Sequence, residues 1–85
     1  MTTLKVEELQ KDYQDKASAC KKYAEEHEIT TLIDGDKTYW TMLVEREEAY
    51  MKLKQHVEPP SRFNRLFKPV ISQRIMRYRD LARWG

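Results

Sequence analysis

The sequence predicts an all-α fold, a long antiparallel helical hairpin followed by a basic C-terminal helix. Three observations carry this. The 85 residues include only two Gly and three Pro, too few for a turn-rich β protein. Apolar residues recur at three- and four-residue spacing along two long uninterrupted stretches. The prolines, Pro59-Pro60 and Pro69, separate the second stretch from a third.

The first helix is expected over residues 4–28, which lack Gly and Pro. Its stripe is Val6, Leu9, Tyr13, Ala17, Cys20 and Ala24. Thr2 or Thr3 can cap it, although neither has Glu or Gln three residues on, so no capping box forms. Glu7–Lys11 and Asp12–Lys16 are i,i+4 pairs in the favourable order, each worth a few tenths of a kcal/mol. Small residues hold positions where a self-sufficient helix has Leu, which predicts close packing along a second helix.

Residues 29–36 break the period. Asp34-Gly35 is a strong turn signal preceded by β-branched residues. The favoured reading is a loop that ends at Asp36 or Thr38 as the next N-cap. The alternative is an α+β fold, with residues 29–33 and 37–43 forming a β-hairpin around Asp34-Gly35. An isolated two-stranded hairpin is marginal in water, and residues 37 onward read as uninterrupted helix.

The second helix is expected over residues 37–57. Tyr39, Met42, Leu43, Arg46, Tyr50, Leu53 and Val57 follow one face, widened by Trp40, Val44 and Met51. Glu45, Glu47, Glu48, Lys52 and Lys54 are assigned to the wet side. So broad an apolar face predicts two neighbours. Pro59-Pro60 ends the helix, because proline has no N–H and forces the residue before it out of the α region. Ser61 is expected to cap a short turn over residues 62–67. Pro69 then fits the first position of a last helix over 69–84, with a stripe of Ile71, Ile75, Tyr78, Leu81 and Ala82.

At about 1.5 Å per residue the first two helices span about 37 and 31 Å. A compact chain of this length has a radius of gyration of about 12 Å. The helices are long for a sphere, so a hairpin with the C-terminal segment packed on it is expected. Self-association as a homodimer would bury what three helices leave exposed.

The net charge of +2 hides a division within this single domain. Residues 1–58 carry nine Lys/Arg against 13 Asp/Glu, a net of −4, and residues 59–85 carry seven against Asp80 alone, a net of +6. Eight of the first nine cations are Lys and six of the last seven are Arg. Arg presents a planar donor fork suited to carboxylates and phosphates, whereas Lys mainly solvates a surface. The candidate partner-binding residues are therefore Arg62, Phe63, Arg65, Lys68, Arg74, Arg77, Arg79, Arg83 and Trp84.

Other function classes find little support. The longest nearly apolar run, residues 39–44, is far short of the roughly 20 residues that cross a bilayer, which argues against a membrane partner. Glu7, Glu8 and Asp12 stand where a signal peptide needs an apolar stretch, and the expected compartment is the cytoplasm, or a host's if the chain is viral. The lone Cys20 admits neither an internal disulfide nor a multi-cysteine zinc site. Cys20, His27 and His56 read as a buried thiol and two ordinary histidines, with no metal or cofactor expected. Glu25-Glu26 and Glu47-Glu48 are adjacent on helices, so their side chains point about 100° apart and cannot work as an acid–base pair. No Gly-rich phosphate loop, nucleophile elbow or HExxH motif occurs, and an enzyme is not expected.

Three readings of the basic segment compete. Its arginines can pair with the protein's own acidic half, an acidic protein can dock on them, or they can grip a nucleic-acid backbone; an anionic membrane is a more remote fourth. The expectation is a small non-enzymatic interaction protein that docks on a larger protein and modulates or inhibits it, with nucleic-acid binding as the alternative. Small proteins of this composition are frequent among phage and mobile-element regulators, though no residue carries that attribution. If the arginines serve a partner, replacing Arg74, Arg77 and Arg83 with Ala should leave melting nearly unchanged. Trp84 either folds back on the hairpin or stands exposed as an anchor.

Overall fold

The computed structural model describes residues 2–84, with the side chains of Thr2, Thr3 and Leu4 outside the description. Every regular element among these residues is helical: α1 (Thr2–Glu26), α2 (Lys37–Val57), α3 (Pro60–Arg62), a π segment (Phe63–Phe67) and α4 (Lys68–Trp84). The N-cap expected at Thr2 or Thr3 falls on side chains outside the described ones.

Helix α1 ends two residues before the sequence reading placed its end. Glu28 adopts a left-handed φ of 54°. The Ile29 N–H donates to the Ala24 carbonyl at 2.8 Å, and the Glu28 N–H donates to Glu25 at 3.4 Å. This is a Schellman cap, with Glu in the position that Gly usually holds. The following residues form a turn rather than a β-hairpin, because their polar groups are committed locally. The Gly35 N–H and the Trp40 indole N–H both donate to the Leu32 carbonyl, at 3.2 and 2.9 Å. The Thr30 hydroxyl donates to the Asp34 carboxylate at 3.0 Å. Hydroxyls of Thr31 and Thr30 hold the Asp34 carboxyl below its ordinary pKa.

Asp36 is the N-cap of α2, accepting from the Tyr39 N–H at 2.8 Å. Its other oxygen accepts from the Tyr23 hydroxyl at 2.7 Å, tying the helix start to α1. Those two bonds, the Tyr23 one foremost, lower the Asp36 carboxyl pKa, and the same bond raises that of Tyr23.

Helix α2 is the central element, and both α1 and α4 pack against it. The Tyr13 and Tyr50 rings lie 5.2 Å apart, and Cys20 is buried with Trp40 and Leu43. Helix α1 therefore runs antiparallel to α2. Helix α4 also runs antiparallel to it, with Tyr50, Met51 and Phe67 packed on the cluster of Val44, Ile71 and Ile75, and Leu81 and Ala82 on that of Cys20, Trp40 and Leu43. The radius of gyration of 13.9 Å and extents of 39 × 24 × 17 Å are those of a flattened slab, longer than a sphere of this chain length. No helix among the described residues is long and apolar enough to cross a membrane.

The third stretch departs from expectation. Helix α2 stops at Val57 with Glu58 extended before Pro59, as the prolines require. Pro60, not Pro69, then opens the next helix, and Ser61 lies within its first turn rather than capping it. Backbone angles stay right-handed helical through Arg62, Phe63 and Lys68, so Pro69 lies inside a continuous helical run. Proline there would strike the carbonyl four residues back and remove a hydrogen bond. The π segment widens the turn, with the Lys68 N–H donating to the Phe63 carbonyl, and so accommodates the ring.

Two residues assigned to the wet side of α2 are not wet. Glu47 is only 2% exposed. Lys54 is partly covered, its ammonium 5.6 Å from the Tyr50 ring centre and 5.2 Å from that of Phe67. Both occupy the α4 side of the helix, where the wheel drawn from apolar residues alone stopped one position short.

Candidate interaction surface

The buried Glu47 carboxylate divides the basic segment into two sets. It accepts from Arg74 Nη1 at 3.2 Å and, less directly, from Arg46 Nε at 3.4 Å. A desolvated carboxylate is costly without such partners, which commits Arg74 to the inside of the fold on one edge. From the neighbouring Glu48, Oε2 lies 3.6 Å from Arg79 Nη2. Arg62 Nε lies 3.9 Å from Glu58 Oε1, an i,i+4 pair. Arg62, Arg74 and Arg79 thus clasp the protein's own acidic half.

The second set is Arg65, Lys68, Arg77 and Arg83, all exposed and in no ion pair among the described residues. Trp84 is 84% exposed and does not fold back on the hairpin. Phe63 is a correction. At 4% exposure it is buried at the start of the π segment, so it belongs to the packing and offers nothing to a partner.

Apolar side chains that the sequence reading did not single out join this surface. Leu66 and Val70 are 48% and 46% exposed, whereas Met76, 64% exposed, lines a groove with Glu48, Met51 and Arg79 on the other side of α4. Val70, Arg77 and Trp84 are spaced by seven residues along α4 and so share one stripe. That spacing is visible in the sequence, but only the rotation of α4 on α2 shows that the stripe faces outward. The stripe starts at a cleft of about 210 Å³ lined by Tyr50, Leu66, Phe67, Val70, Ile71 and Arg74.

The opposite side of the α2–α4 seam is a broader groove whose lining includes Lys37, Glu45, Glu48, Arg79 and Arg83. It carries charge of both signs with no constellation of nucleophile and base. No three His, Cys, Asp or Glu side chains among the described residues converge to hold a metal. Cys20 is buried, and its burial raises the thiol pKa, while His27 stacks on Tyr23 with ring centres 3.9 Å apart.

No protein-family model, curated protein or solved structure matches this chain.

Proposed function

We propose that this chain is a non-enzymatic interaction protein that docks on a larger protein and modulates it through the outward face of the π segment and α4. The observation that carries this is the interleaving of Arg65, Lys68 and Arg77, which have no ion-pair partner among the described residues, with exposed Leu66, Val70 and Trp84. Aliphatic side chains between cations suit a protein surface with an apolar centre and an acidic rim. A groove for single-stranded nucleic acid would instead present exposed aromatic rings for base stacking. Of the four aromatic residues in this segment only Trp84 is exposed, with Phe63 buried and Phe67 and Tyr78 half-buried.

The test places a photo-crosslinking amino acid at position 77 or 84 and purifies the chain after nuclease treatment. One discrete protein adduct is expected at both positions. It should disappear when Arg65 and Arg77 are changed to Glu in a variant whose circular dichroism is unaltered. If no protein adduct forms, and a parallel purification without crosslinking or nuclease recovers nucleic acid released by salt with a log–log slope of about 2–3, nucleic-acid binding would replace this reading.

A further inference from the structure

We infer that the cleft at the π segment receives a single apolar anchor side chain from an acidic amphipathic helix of the partner, which lies along α4 toward Trp84. This deepens the proposed function and rests on it. The cleft volume of about 210 Å³ falls below the roughly 300–1,000 Å³ of small-molecule sites, so it suits one side chain rather than a metabolite. Phe67, Ile71, Leu66, Val70 and the Tyr50 ring supply its apolar lining, with polar atoms making up nearly as much of the surface.

Cations stand on two sides of that lining. The Lys54 ammonium lies over the Phe67 and Tyr50 rings, at 5.2 and 5.6 Å. Arg74 lines the cleft with its side chain 50% exposed. Only Nη1 of Arg74 is taken by Glu47, and a guanidinium has five N–H donors, so its outer edge can still donate to a second carboxylate. Phe67 and Arg74 are seven residues apart, about 10 Å along a helix. The fitting ligand therefore has one large apolar residue and a carboxylate about one turn to either side.

The ligand's secondary structure follows from what the surface lacks. Among the described residues there is no strand, hence no sheet edge to pair with an extended peptide, and recognition must run through side chains. Val70 and Trp84 are fourteen residues apart, about 21 Å, a straight four-turn track that an amphipathic helix matches at its own spacing. Arg77 lies midway. Asp80, the one acidic residue of the segment, flanks the track near its Trp84 end, so the ligand's carboxylates should gather at the cleft end.

The test is selection from a display library of randomised 18-residue helical peptides on the full chain, followed by synthesis of the most enriched peptide. Enriched sequences should carry Leu, Phe or Met with Asp or Glu three or four residues to either side. The peptide should shift the methyl resonances of Leu66 and Val70 and the indole of Trp84. Changing Leu66 and Val70 to Asp, both surface positions, should weaken binding at least tenfold with melting unchanged, and Arg77→Ala should weaken it three- to tenfold. Absence of enrichment, enrichment of basic peptides, or binding indifferent to the Leu66 and Val70 changes would overturn the inference. The two proposals fail separately. A protein adduct at positions 77 and 84 with no acidic peptide removes the cleft assignment alone, whereas an acidic peptide alongside nucleic-acid-only recovery removes the proposed function alone.

Discussion

Arg74→Ala should destabilise this protein by about 2 kcal/mol, although the residue is half exposed and lies in a segment rich in other arginines. The Glu47 side chain is 3% exposed, and its two donors are Arg74 Nη1 at 3.2 Å and Arg46 Nε at 3.4 Å. Removing one partner of a fully buried pair costs about 3–5 kcal/mol, because the other charge stays buried. An exposed pair is worth about 0–1 kcal/mol. Arg74 falls between these limits, since water entering its place can rehydrate Glu47 in part. For a domain of this size about 2 kcal/mol lowers the melting temperature by about 8–16 °C. Thermal and urea unfolding followed at 222 nm measures this directly, with Arg77→Ala and Arg83→Ala as references expected within about 0.5 kcal/mol of the parent. From the sequence, all three arginines are expected to spare stability only if they serve a partner; the structure separates Arg74 from the other two. If Arg74→Ala melts with those references, Glu47 is not held by Arg74 and the division into clasping and outward cations is wrong.

Three further outcomes follow from local geometry. Gly35→Ala should cost about 1–3 kcal/mol by overpacking, because its Cβ would meet Tyr39 Cδ2 at 2.6 Å and Trp40 Nε1 at 2.9 Å; unchanged urea unfolding would contradict the close approach. Glu28→Gly should stabilise by about 0.5–1 kcal/mol through relief of the left-handed φ at the α1 cap, read from the same unfolding curves. Stability should fall at both pH extremes. Burial raises the Cys20 pKa, so its contribution holds below about pH 9 and is lost as pH rises further. Bonds from Tyr23 and the Tyr39 N–H lower the Asp36 pKa, so its contribution holds above about pH 4 and is lost below. Melting temperature against pH, with faster amide exchange at Tyr39 on the acid side, checks both arms.

The elements whose signals are local were legible in the sequence. Helix α2 begins and ends where Asp36 and Pro59 place it, because a carboxylate cap and a missing N–H act within one turn. The central role of α2 also followed from the width of its apolar face. The end of α1 was harder to read, since its cap puts Glu where a glycine would announce the stop. Pro69 misled for a related reason. A proline after a run of helix formers reads as a start, and the compensating π turn depends on how Phe63 and Phe67 settle on α2 rather than on any sequence mark. Glu47 was the largest miss in the candidate site. Its place three and four residues from Val44 and Leu43 puts it on the buried side, but residue type outweighed position, and its partner Arg74 is 27 residues away. The cations were found by composition, and the exposed Leu66 and Val70 beside them needed the tertiary rotation of α4.

The Glu47–Arg74 contact reinforces that rotation. Ile71 and Ile75 of α4 are buried, and Tyr78, Leu81 and Ala82 pack against the same core. Turning α4 by about 100° would bring either Val70 with Arg74 or Ser72 with Met76 inward, so the apolar stripe already favours one rotation. The buried carboxylate adds to that preference, because only this rotation sets Arg74 against it. The same rotation sends Val70, Arg77 and Trp84 outward, so the pair helps to aim the interaction surface as well as to hold the fold. The two roles come apart in a variant combining Glu47→Met with Arg74→Ala. It should recover to within about 1 kcal/mol of the parent, since no charge is left buried. Its Leu66 and Val70 methyl resonances should nevertheless broaden or double as α4 samples other rotations. A variant that regains stability with single sharp resonances at both positions would show that Ile71 and Ile75 suffice to orient the helix. The outward stripe would then owe its direction to packing alone.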